Sequence, residues 1–155
     1  FCTCPYSYGH GDILPNHFPP WLVQLTDIVS SRMGLVNDFN SCNVNHYGSA
    51  NDSCGWHSDD EPISDIENST ILSLSLGGTR RFEIGERLHD GTHKIIKHVD
   101  LKSGDLLAMT GAFQKFYEHR VPKTSRVTEP RYNLTWRKIA YHIPDCPCAG
   151  QASGH

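Results

Sequence analysis

The sequence predicts a mainly β protein with one or two helices, folded as a sandwich or jelly roll. Two features of its patterning carry that expectation. From residue 42 onward, apolar and polar residues alternate with period two in short runs, the spacing of half-buried strands. Ahead of them lies a single segment with the wider spacing of a helix. Residues 1–18 read as irregular, with one aromatic cluster, Tyr6-Ser7-Tyr8-Gly9. A helix is expected over 19–34, opened by Pro19-Pro20 and ended by Gly34, since proline suits a first helical turn and glycine the residue past the last. Trp21, Leu22, Leu25, Ile28 and Val29 form its apolar stripe. Strands are expected over roughly 42–47, 70–76, 81–84, 94–99, 105–109, 116–121 and 131–139, divided by Gly, Asp, Asn and Pro turns. In the second of these, Leu72, Leu74 and Leu76 share one face while Ser73 and Ser75 share the other.

A length of 155 residues suits one domain with a real core, and there is no internal repeat or linker to divide residues 1–155. Mean hydropathy is −0.46, and no stretch approaches the ~20 apolar residues that span a bilayer. No signal peptide is expected from the opening residues, and a chain opening at Phe1 reads as a domain of something longer. The net charge of −3 conceals an asymmetry. Residues 1–79 carry one base, Arg32, against nine acids, whereas 80–126 carry ten bases against six. A basic middle in an acidic protein makes a local anion-facing patch rather than a general grip on nucleic acid. The six cysteines are Cys2, Cys4, Cys42, Cys54, Cys146 and Cys148. Without a secretory context, free thiols or metal ligation suit them better than bridges, and the expected location is intracellular.

The sharpest local feature is Trp56-His57-Ser58-Asp59-Asp60-Glu61. In extended chain, His57 and Asp59 project to the same side and can reach one metal ion. A second such pair, His98-Val99-Asp100, shows how easily the pattern arises, and an isolated pair is usually two solvated residues. Context separates them. A two-histidine, one-carboxylate facial triad needs a third ligand from a distant strand, and leaves open positions on Fe(II). His119 follows His57 by 62 residues, room for several strands, but follows His98 by only 21, room for little more than a hairpin. His57, Asp59 and His119 are therefore the expected triad.

The second feature is Arg131-Tyr132-Asn133-Leu134-Thr135-Trp136-Arg137. As a strand it places Arg131, Asn133, Thr135 and Arg137 on one face and Tyr132, Leu134 and Trp136 on the other. Taken alone, a doubly cationic face normally meets water. With a metal triad upstream the better expectation is a ligand cavity, where guanidiniums clamp a dicarboxylate such as 2-oxoglutarate by charge-assisted bonds. Asn45 and Tyr47, two apart on a strand, would add neutral hydrogen bonds to the same ligand.

Together these segments carry a resemblance. Cys42 to Tyr47, His57 to Pro62, Leu72 to Gly77, Gly104-Asp105, Phe116 to His119 and Arg131 to Arg137 follow in the order seen in the AlkB family of Fe(II)- and 2-oxoglutarate-dependent dioxygenases. The likeness spans roughly 40–139, and Tyr6-Ser7-Tyr8-Gly9 resembles that family's nucleotide-recognition lid. It implies a double-stranded β-helix core at 40–139, behind a short lid at 1–18 and the helix at 19–34. Residues 140–155 then form a cysteine-containing tail without counterpart in the family. It implies iron ligation by His57, Asp59 and His119, and 2-oxoglutarate binding by Asn45, Tyr47, Arg131, Asn133 and Arg137, with Thr135 lining the same pocket. Asp60 would contact a flipped base, with Tyr6, Ser7 and Tyr8 over the nucleotide. The activity implied is oxidative demethylation of N-alkylated bases in single-stranded or flipped DNA or RNA, yielding formaldehyde, succinate and carbon dioxide. Arg80, Arg81, Arg87, Lys94 and Lys97 are candidates for phosphate contacts, each more often a solvated charge. The alternatives are an oxygenase acting on a protein or small molecule, and a non-catalytic β-barrel binding module. Cys2-Thr3-Cys4 and Cys146-Pro147-Cys148 admit three readings: free thiols, one structural zinc joining the ends, or a disulfide.

Overall fold

The computed structural model describes residues 6–8, 11–13, 16–35, 39–60, 70–126 and 129–140. Helix α1 spans Pro20–Arg32. Its C-terminal end closes as a Schellman motif: Gly34 takes a positive φ of 65°, its N–H bonds the Ser31 carbonyl, and the Leu35 N–H bonds the Ser30 carbonyl. The expected apolar stripe is split. Leu22, Thr26, Val29 and Ser30 face inward, while Trp21 and Ile28 stand 52% and 57% exposed. A polar partner drew the helix round. The buried Trp136 indole N–H donates to Thr26 Oγ1 at 2.8 Å, and that hydroxyl donates to the Leu22 carbonyl at 2.7 Å.

Two four-stranded antiparallel sheets follow, the layout of a jelly roll. The first, in spatial order, contains β3 (Ser41–Tyr47), β10 (Arg131–Arg137), β5 (Ile71–Gly77) and β8 (Leu106–Met109). The second contains β4 (Cys54–His57), β9 (Glu118–Val121), β6 (Arg80–Arg87) and β7 (His93–Leu101). One apolar cluster, with Leu22, Val29, Leu72, Leu74, Leu134 and Trp136, glues α1 to the outer face of the first sheet. Another, with Tyr47, Ile71, Phe82, Leu101, Met109 and Val121, lies between the sheets. The mainly β, jelly-roll expectation holds.

Three local readings change. Tyr6–Tyr8 (β1) and Gly11–Ile13 (β2) pair antiparallel where irregular chain was expected; Gly9-His10 between them has the Gly-X pattern favoured in two-residue hairpins. Cys54–His57 is a strand too short to show a period. The alternation read over 116–121 conceals a helical turn, α2 (Phe113–Phe116), before β9 begins.

Candidate active site

Strands β4 and β9 are antiparallel neighbours, and their register sets His57 directly opposite His119. The two rings come within 4.2 Å, centroid to centroid. Asp59, two residues past the end of β4, is 2% exposed and turns its carboxylate to both: Oδ1 lies 4.0 Å from His57 Nε2, and Oδ2 lies 3.9 Å from His119 Nε2. One ligand atom from each of the three residues falls within 4.8 Å of the others, a spacing suited to one metal ion. His57 Nδ1 sits 2.8 Å from the Gly55 carbonyl. Donating a proton there fixes the tautomer and turns the Nε2 lone pair toward the cluster.

Arg137 Nη2 bonds Asp59 Oδ1 at 2.5 Å. Burial alone would oppose ionisation of Asp59, but Arg137, with His119 and His57, outweighs it and holds the carboxyl below its usual range. The two imidazoles diverge. Burial also opposes the charge on His57, yet its bonds to Cys54 and Gly55 and the Asp59 carboxylate push its pKa up to about 9. His119 is pushed down to about 4, by burial first and then by the His57 charge. The metal-free cluster thus keeps one proton, on His57.

β10 sits between β3 and β5 in the middle of the first sheet. Its polar face does not meet water: Arg131, Asn133, Thr135 and Arg137 are all buried. Across from them, in register, stand Tyr47, Asn45, Asn43 and Ser41 of β3, and Gly77, Ser75 and Ser73 of β5. Asn133 Nδ2 donates to Ser73 Oγ and the Leu74 carbonyl, and Arg131 Nη2 donates to Ser75 Oγ at 2.8 Å. Arg131 is 1% exposed, and its Nε and Nη1 have no hydrogen-bond partner among the described residues. The Tyr47 hydroxyl stands against the guanidinium and interacts with it, but it is a neutral phenol whose pKa burial raises, and it supplies no counter-charge. A buried guanidinium with two donor nitrogens unpartnered, and no carboxylate beside it, among the described residues is costly as it stands, and is complementary to an anion. These residues fit an iron ion at one end of the β10 face and a dicarboxylate reaching toward Arg131.

Several expected residues fall elsewhere. Arg80 is 2% exposed and donates to the carbonyls of Ser49, Asp52 and Pro122, so it pins loops rather than meeting phosphates. Arg81 bonds Asp100 at the surface, and His98 is exposed on β7, an edge strand. Arg87, Lys94 and Lys97 are exposed, and Asp60 is exposed immediately beyond the cluster. The side chains of Tyr6, Ser7 and Tyr8, and all of Cys2, Cys4, Cys146 and Cys148, lie outside the described residues. Sequence reading passed over Gln114 in α2, whose Oε1 accepts the Asp59 N–H at 2.9 Å across 55 residues. It also passed over Cys54, whose Sγ stands 3.7 Å from His57 Nδ1. Gln114 matters through a neighbour that folding brings, whereas Cys54 acts on a residue three positions along its own strand.

A family model described as the 2OG-Fe(II) oxygenase superfamily matches residues 4–137. Among curated proteins, the chain is 40% identical over 141 residues to "Alpha-ketoglutarate-dependent dioxygenase alkB homolog 3" of Homo sapiens, covering 87% of this chain and 48% of that protein. It is 31% identical over 138 residues to "DNA oxidative demethylase ALKBH2" of Bos taurus, covering 86% and 49%. The chain thus spans about half the length of these relatives. Among solved structures, "The structure of OsALKBH1" superposes with a TM-score of 0.57 at 24% identity, over 80% of this chain and 67% of that one, a likeness of fold.

Proposed function

Because the chain belongs to the 2OG-Fe(II) oxygenase superfamily, with the AlkB homologues as its curated relatives, we propose that it demethylates N-alkylated bases in single-stranded DNA or RNA. The family is defined by Fe(II) and 2-oxoglutarate. In this reading His57, Asp59 and His119 hold the iron. Arg131 pairs with the distal carboxylate of 2-oxoglutarate, while Asn45, Tyr47 and Asn133 supply neutral hydrogen bonds and Thr135 lines the pocket. Arg137 is already engaged with Asp59, so its part is to hold that ligand carboxylate in place, at the end of the pocket nearest the metal. The observation that carries the reading is the Arg131 guanidinium, buried with two donor nitrogens unpartnered among the described residues, on the strand face whose Arg137 also grips Asp59.

Bound there, iron and 2-oxoglutarate, with molecular oxygen as co-substrate and oxidant, would supply oxidative hydroxylation of an N-methyl group: one oxygen atom goes to succinate and one to the hydroxymethyl group, with carbon dioxide and formaldehyde released. The chain's own residues do the positioning. Gly55 and Gln114 orient two ligands from behind, the two sheets exclude water from the β10 face, and Asp60 stands at the rim to meet the base. The names of the relatives support nucleic acid as the substrate class. The test is to supply purified protein with Fe(II), 2-oxoglutarate and ascorbate, then single-stranded DNA and RNA containing 1-methyladenine, 3-methylcytosine or 6-methyladenine. Formaldehyde and succinate are expected in equal amounts with at least one of these. Succinate stimulated by a peptide or metabolite, with every methylated base inert, overturns the proposal.

A further inference from the structure

We propose that Phe116 is a stacking platform for the base adjacent to the target, in a groove that receives single-stranded nucleic acid. This rests on the demethylase reading above and names how the strand is held. Phe116 is 63% exposed, the most exposed large apolar side chain among the described residues. It is also firmly placed. It ends α2, whose Gln114 bonds the Asp59 N–H, and it stands three residues before His119. The ring is thus tied from both directions to candidate iron ligands, an odd place to leave an aromatic face in water.

The ring borders a groove of about 560 Å³ that Ser58 and Asp60 also line. That volume is within the roughly 300–1,000 Å³ of ligand sites. Ser58 lies between His57 and Asp59 and Glu118 precedes His119, so the groove's lining neighbours all three members of the metal cluster in sequence, though none of the three lines it. Two exposed cations line it, beside the carboxylates of Asp60 and Glu118: the Lys115 ammonium stands 5.8 Å from the Phe116 ring centroid, and Arg87 Nη1 lies 3.9 Å from Glu118 Oε1. An aromatic face with cations in the same groove is how proteins hold single strands, the ring taking a base and the cations its phosphates. The metal cluster itself is deep, with Asp59 and His119 at 2% and 4% exposure. A base at the metal therefore cannot also lie on Phe116, and the ring is left to its neighbour in the strand.

The experiment compares Phe116→Ala, Phe116→Trp and the parent on a methylated trinucleotide and on the corresponding methylated mononucleotide. Tyr132→Ala, which removes another exposed aromatic that does not line the groove, is the control. Phe116→Ala should raise the trinucleotide KM by about 5- to 150-fold. Phe116→Trp should restore it, Tyr132→Ala should leave it unchanged, and the penalty should vanish with the mononucleotide. An unchanged trinucleotide KM in Phe116→Ala overturns the inference, and an equal penalty on both substrates overturns it too, since the ring would then touch the target base. Binding of a labelled oligonucleotide, followed by fluorescence anisotropy, separates this inference from the demethylase reading. A parent that binds, loses affinity in Phe116→Ala, yet demethylates nothing keeps the platform and refutes the chemistry. A parent that binds no oligonucleotide refutes both.

Discussion

Replacing Arg131 with Met removes a buried charge while keeping a similar volume, and the structure gives opposite signs to its two consequences. Without ligand, the guanidinium is 1% exposed, holds Ser75 Oγ, and has two nitrogens without a partner among the described residues. Burial accordingly lowers its pKa. An isostere that removes a poorly compensated buried cation is neutral or stabilising in many proteins, so the melting temperature of the ligand-free variant should equal or exceed the parent's. With ligand the sign reverses. Losing one arm of a buried hydrogen-bonded charge pair costs about 2–5 kcal/mol, equivalent to a roughly 30- to 5,000-fold rise in the 2-oxoglutarate Kd. Differential scanning fluorimetry with Mn(II) reads both effects. At a 2-oxoglutarate concentration of about 100 Kd, the parent gains ~2.7 kcal/mol from binding, whereas a variant weakened 30-fold gains less than ~1 kcal/mol. For a chain of this size the gap is several degrees of melting temperature, about 3 °C per kcal/mol. A variant that loses stability without ligand but still binds 2-oxoglutarate as the parent does would make Arg131 a structural residue and refute the reasoning.

His57→Ala or Asp59→Ala should abolish turnover and metal binding, whereas His98→Ala and Asp100→Ala, at the exposed edge strand, should preserve both; metal titration alongside the activity assay checks this. Metal affinity should rise with pH: with the His57 pKa near 9 and that of His119 near 4, the metal-free cluster holds one proton that a metal must displace. Mn(II) should therefore bind about tenfold more tightly per pH unit from 6.5 to 8.5, and a flat profile would mean that His57 is neutral in the free protein. Gln114→Leu should strand the buried Asp59 N–H, weakening metal binding about 10- to 100-fold as for other groups that orient ligands; a Mn(II) titration of the folded variant measures it, and an unchanged affinity would show that the loop holds its shape unaided.

What the sequence by itself determined is what period two determines. Alternation put Ser73 and Ser75 on the side opposite Leu72 and Leu74, and put Arg131, Asn133, Thr135 and Arg137 on one face, because a strand sends successive side chains to opposite sides wherever it lies. His57 and Asp59 were legible for a like reason: two ligands in one short segment need little long-range information. The tertiary structure decided which face is inside. Nothing local says that the cationic side of β10 is the buried one; the second sheet, closing over it, makes that so. It also turned α1 toward Trp136, 110 residues away from Thr26, and sank Arg80 among three carbonyls from two segments. Folding engaged Arg137 with Asp59, 78 residues apart, and Gln114 with the Asp59 backbone. A buried polar group must find a partner or pay for its desolvation, and that partner is supplied by whichever strand the topology lays alongside, which no local periodicity encodes.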